Sequence, residues 1–98
     1  MTRKISFHRL AEQELNDASL DYEGKSSGLG GAFLDAIEQT LGSLQEHPRA
    51  AREVSEAVRR KSVHRFPYSI LYSVRDDEIR VLAVAHDMRR PLYWRDRT

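Results

Sequence analysis

Between Val58 and Thr98 the chain gathers cations, an imidazole and two aromatic rings that could work together. Arg59, Arg60, Lys61 and Arg65 lie on one short basic run, Val58-Arg59-Arg60-Lys61-Ser62-Val63-His64-Arg65, and His86, Arg89, Arg90, Tyr93 and Trp94 crowd together further on. Cations grip anions, and arginine adds a planar fork that matches phosphate or carboxylate. Histidine titrates near neutrality, so His86 could act as general acid or base. Arginines interleaved with aromatic rings suit base stacking and phosphate contact. Each group also has a plainer reading. Charge protects an edge strand from aggregation, and a strand-end histidine can make an ordinary hydrogen bond. Tyr93 and Trp94 can fold a tail back over a sheet, which is the preferred reading for Trp94.

Charge is sorted along the chain. Val58 to Thr98 holds ten Lys or Arg against five Asp or Glu, and the first 57 residues hold six against ten, within a formal balance of only +1. The positive half is therefore where an anionic target would be met. With no cysteine there is neither a disulfide framework nor a thiolate metal site. His8, His47, His64 and His86 lack paired metal-ligand spacing, so no metal and no cofactor is expected. Gly28, Gly30 and Gly31 lie between helical segments with no strand before them, so no phosphate-cradling loop is present. Neither a signal-peptide run nor a stretch of membrane-spanning length follows Met1, so a cytoplasmic protein without membrane partners is expected.

The elements that must position these groups follow from periodicity. The 98 residues suffice for one domain with a sheet covered on one face. Ile5 and Phe7 alternate with polar neighbours in a first strand, Arg3 to Phe7. Ala11, Leu15, Ala18 and Tyr22 fall on one helical stripe, with Glu12, Glu14, Asp17 and Asp21 expected to face water. Gly24-Lys25-Ser26-Ser27-Gly28 ends that helix. Leu29, Phe33, Ile37, Leu41 and Leu44 mark a second helix, stopped by His47-Pro48. The short connection makes the two an antiparallel pair. Arg49 to Ala57 has no clear period and reads as a loop or ragged turn. From Val58 the period is two. Alternation along the basic strand sends Arg59, Lys61 and Arg65 to one face and Arg60 to the other, and Phe66-Pro67 separates it from a hairpin. The hairpin runs from Tyr68 to Ala85 around the charged turn Arg75-Asp76-Asp77-Glu78. Its second strand is apolar nearly throughout and so interior to the sheet, with His86 on the parity of Arg80, Leu82 and Val84. A short tail follows from Asp87.

These residues resemble the RelE/ParE superfamily of toxins from type II toxin–antitoxin systems. The likeness rests on the helix end Leu41-Gly42-Ser43-Leu44-Gln45-Glu46-His47-Pro48, on Val58-Arg59-Arg60, and on Arg65-Phe66-Pro67-Tyr68-Ser69-Ile70-Leu71-Tyr72. It continues through Val81-Leu82-Ala83-Val84-Ala85-His86, Arg89-Arg90-Pro91 and Tyr93-Trp94. It implies that residues 1–98 form a single α+β toxin domain of order β-α-α-β-β-β. In it a helical hairpin packs on one face of a mainly antiparallel four-stranded sheet with a short C-terminal tail, and a cognate antitoxin is the partner. RelE-like members cut messenger RNA on the ribosome without metal, which would give Arg65, His86, Arg89 and Tyr93 catalytic roles. Ser69, however, replaces the arginine that those members carry at the start of the third strand. ParE-like members bind DNA gyrase and poison it, which would make Arg59, Arg60, Lys61, Arg90 and Trp94 target-binding. Phe66-Pro67-Tyr68 and the Arg-Arg-Pro segment place the chain nearer the ParE-like, plasmid-stabilisation branch. The alternatives are the RelE-like ribonuclease and an inactive module that only binds antitoxin.

Overall fold

The computed structural model describes residues 3–98. Its elements are β1 (Lys4–Phe7), α1 (Arg9–Lys25), α2 (Leu29–Glu46), β2 (Arg52–Ser55), β3 (Val58–Ser62), β4 (Tyr68–Arg75) and β5 (Glu78–His86). Among them no helix is long and apolar enough to cross a membrane.

His8 turns the chain from β1 into α1, its Nδ1 accepting the Leu10 N–H at 3.0 Å, which satisfies a donor the first helical turn leaves free. The two helices meet closely at Gly30. A Cβ there would stand 2.6 Å from the Ser19 carbonyl oxygen, so only glycine lets the helices approach this far. Glu23, at the end of α1, accepts from the backbone N–H of Gly28 at 2.9 Å and of Gly30 at 3.0 Å. A carboxylate thus caps the positive end of α2 from the neighbouring helix. Phe33, Ala36, Ile37 and Leu44 of α2 and Ala11 and Ala18 of α1 are buried against Ile70, Tyr72, Ile79, Val81 and Val84 of the sheet. Tyr22, Phe33, Phe66 and Tyr68 form an aromatic cluster with ring centroids 5.0 to 6.1 Å apart.

The sheet has five strands, not four, in the order β1-β5-β4-β3-β2, and β1 runs parallel to β5. The remaining pairs are antiparallel, so the sheet is mixed. The extra strand, β2, comes from the segment expected to be a loop. Its neighbour β3 stops at Ser62, short of the expected Arg65, because the chain turns at His64 and Arg65 has a left-handed φ of 74°. Arg65 therefore does not share a strand face with Arg59 and Lys61.

A bulge opposite Leu71 and Tyr72 shifts the β4–β5 register. Tyr72 faces Val81 and Leu71 faces Ala83, leaving Leu82 as the extra residue. Parity along β5 therefore changes at Leu82: His86 and Val84 share the helix-covered face with Val81 and Ile79, and Arg80 lies on the other. The opposite face is covered by the tail, where Trp94 packs with Leu71, Ala83 and Ala85 and is backed by Val54, Val58 and Tyr93.

Candidate functional site

The tail, lying across the sheet, creates a cleft of about 180 Å³ between itself and the ends of β4 and β5. Leu71, Ala85 and Val54 give it an apolar floor, and Arg60, His86, Asp87, Arg89, Arg90 and Tyr93 stand around it. Alternation along β3 sends Arg60 into this cleft and Arg59 away from it. Asp87 organises the mouth. Its Oδ1 accepts from the Ser69 hydroxyl at 2.8 Å and from the Arg60 guanidinium at 3.0 Å, while its backbone N–H bonds the Pro67 carbonyl at 2.8 Å. Ser69, 1 % exposed, thus spends its hydroxyl proton on holding Asp87. His86 accepts the Met88 N–H at Nδ1, 3.0 Å away, so its neutral form carries the proton on Nε2. Its ring meets Tyr68 edge-on at 5.1 Å.

The tail is fastened by a polar hub centred on Glu14 of α1. The Tyr93 hydroxyl donates to Oε2 at 2.8 Å, and Arg97 grips both carboxylate oxygens at 2.9 and 3.1 Å. The Val84 N–H donates to the same carboxylate at 3.1 Å, and Arg97 also donates to the Leu82 carbonyl at 3.1 Å. These two backbone groups lie on the edge of β5 beyond the end of β1. The ion pair therefore stands in for the missing ladder partner. It is largely shielded, with 16 % and 12 % of the two side chains exposed, where such a bidentate pair is strengthened by the further bonds from Tyr93 and the Val84 N–H to Glu14 and from Arg97 to the Leu82 carbonyl. Glu14 was expected to face water; it points into the protein instead. Its position three residues after Ala11 and four before Ala18, both buried, was the available signal.

Tyr93 is correspondingly fixed. Burial, followed by its hydrogen bond to Glu14, pushes its phenol well above the ordinary tyrosine value of 10.0. The Arg89 guanidinium stacks on its ring at 4.0 Å and Arg97 lies 5.0 Å from the same ring. Trp94 is 6 % exposed, so its indole is spent on packing.

The structure divides the remaining candidate residues. Arg59 donates to the carbonyls of Arg49 and Ala51 at 3.1 and 2.8 Å, and the Tyr72 hydroxyl bonds the Pro48 carbonyl at 2.7 Å; together they pin the α2–β2 connection. Lys61 and Arg65 line a separate groove beside α2. Among the described residues no three His, Cys, Asp or Glu side chains converge as metal ligands would. The cleft can bind: Arg60, Arg89 and Arg90 stand around an apolar floor with Asp87 already engaged, while the His86 imidazole packs on Tyr68 toward the helices. Of the residues that hold this arrangement, Asp87 and Arg97 were not among the candidates from the sequence, and Glu14 was named there only as part of a solvated helix face.

A family model described as "ParE toxin of type II toxin-antitoxin system, parDE" matches residues 5–91. Among solved structures, the chain superposes on one from the chromosomal ParDE toxin–antitoxin system of P. aeruginosa with a TM-score of 0.71. The two are 23 % identical, over 87 % of this chain and 96 % of that one, a likeness of fold. No curated protein matches the chain.

Proposed function

The chain belongs to the ParE toxin family of type II toxin–antitoxin systems, and from that premise we propose that it inhibits DNA gyrase by binding it and is neutralised by a cognate antitoxin. The observation that carries this reading over the ribonuclease one is the Tyr93 phenol. Cleavage of RNA without metal needs a group to take the ribose 2′-hydroxyl proton, cations for the charged transition state and a proton for the leaving oxygen. Tyr93 already gives its one proton to Glu14, and its raised pKa makes the phenolate scarce near neutrality. Arg65, the other cation of that scheme, lines a different groove from His86 and Arg89. A binding role asks less of these groups, and the cationic cleft with its apolar floor suits a protein partner.

The test is a pair of assays on the purified chain. Inhibition of supercoiling by gyrase, with ribosome-bound messenger left uncut, is the expected outcome. Codon-edge cuts lost on His86→Ala or Tyr93→Phe would replace it with the RelE-like reading. Tight antitoxin binding with neither effect would leave an inactive antitoxin-binding module. The antitoxin expected is a small protein encoded beside this gene, carrying an apolar and acidic segment. Gyrase as target places the toxin in the cytoplasm.

A further inference from the structure

The groove beside α2 differs in kind from the cleft under the tail. It measures about 510 Å³ and is lined by Gln39, Thr40 and Ser43 of α2 with Lys61, Ser62 and Val63 to Arg65 of the β3–β4 connection. No lining residue is acidic. The hydroxyls of Thr40 and Ser43 are spent on the helix carbonyls of Ala36 and Thr40. Gln39, Lys61, Ser62, His64 and Arg65 are left as donors around the groove, and among the described residues neither Lys61 nor Arg65 has an ion-pair partner.

The turn that presents these groups is rigid. Val63 is buried, and Phe66 is locked into the aromatic cluster 5.0 Å from Tyr22 and 5.2 Å from Phe33. The Val63 N–H bonds the Tyr68 carbonyl at 2.9 Å, and the Tyr68 N–H bonds that of Phe66 at 2.8 Å. Between these anchors Arg65 is held left-handed, at φ 74°, with its guanidinium 5.6 Å from the Phe66 ring. A non-glycine residue in that conformation is strained, and such strain collects at functional positions.

We propose that this groove is a second, separate binding site, for the phosphodiester backbone of a nucleic acid. Its donor set is cationic and without a competing carboxylate, which suits phosphate oxygens. Its one apolar lining residue, Val63, is already buried, so an acidic peptide would find nothing on which to bury its own apolar side chains. The tail cleft offers such a floor and this groove does not. No Phe, Tyr or Trp lines the groove, so it offers bases little stacking surface. Contact is to the backbone alone and independent of sequence.

This goes beyond inhibition of gyrase and is tested without gyrase. The full chain is titrated by fluorescence anisotropy against a mixed-sequence DNA duplex and, separately, a single-stranded RNA, at salt concentrations from about 50 to 200 mM. Lys61→Gln combined with Arg65→Asn, which tolerates the left-handed turn, is expected to weaken binding about tenfold or more and to reduce the salt slope by about 2. Lys61→Gln alone, at an exposed strand position, removes about one unit of slope without touching the turn. Arg75→Gln, an equal charge loss at the β4–β5 turn, leaves the slope unchanged. Preference for the duplex or for the RNA names the backbone source, and either supports the site. Equal losses from Arg75→Gln and Lys61→Gln, or displacement of the duplex from this groove by polyglutamate at lower charge concentration, would overturn it.

Discussion

At the scale of single residues, Glu14 matters most to the site although it touches no target. Its carboxylate gathers Tyr93, Arg97 and the Val84 amide, so removing it strands a shielded guanidinium. Glu14→Ala is expected to lower stability by about 3 kcal/mol, whereas Tyr93→Phe, which leaves Arg97 paired, lowers it by about 1 kcal/mol; urea denaturation separates the two. The tyrosines give a second expectation. All four, Tyr22, Tyr68, Tyr72 and Tyr93, have pKa values raised above 10.0, each chiefly by burial. Above pH 10 the unfolded chain releases phenolic protons that the folded chain keeps, so stability is unaffected below that pH and falls as pH climbs. Absorbance at the phenolate band should rise with a midpoint above pH 10, and the Tyr93 share of it should appear last, together with loss of helical circular dichroism. A gradual rise centred on pH 10 with the fold intact would contradict the burial of these rings.

Among the elements, two glycine-related positions carry opposite expectations. Gly30→Ala drives a methyl into the Ser19 carbonyl and should cost about 1 to 3 kcal/mol. Ala57, in the two-residue turn between β2 and β3, sits at a φ of 60°, and Ala57→Gly should raise the melting temperature by relieving up to about 1 kcal/mol of strain. That turn also explains why β2 was not legible. Its strand offers one apolar residue, Val54, and its turn reads Glu56-Ala57 where Asn-Gly would have announced a hairpin. The helices were legible because Phe33, Ile37 and Leu44 repeat at helical spacing and do face the core. In β4, Tyr68, Ile70, Tyr72 and Val74 all lie toward the helices as alternation required. The bulge opposite it stayed hidden because β5 is apolar on both parities from Val81 to Ala85, so no polar residue beside Leu82 betrayed the shift.

For the molecule as a whole, five of the ten cations beyond Val58 stand on two separate surfaces. Arg60, Arg89 and Arg90 ring the tail cleft, and Lys61 and Arg65 line the groove beside α2. Residue type marked these cations from the sequence, but their partition depends on the turn at Arg65 and on strand alternation. Association with an acidic antitoxin segment should accelerate at low salt, and Arg89→Gln with Arg90→Gln should slow it severalfold in stopped-flow mixing; an unchanged rate would exclude the tail cleft as the encounter surface. The parallel pairing of β1 with β5 has a further consequence. Lys4 finds its neighbour only at Glu78, and Glu14 its counter-ion only at Arg97. A translating ribosome therefore delivers the helical hairpin well before the strands that cover it, and the sheet cannot close until synthesis has passed residue 78. Maturation of each copy is a late, collective event, during which the nascent polypeptide is open to whatever else is waiting to engage it.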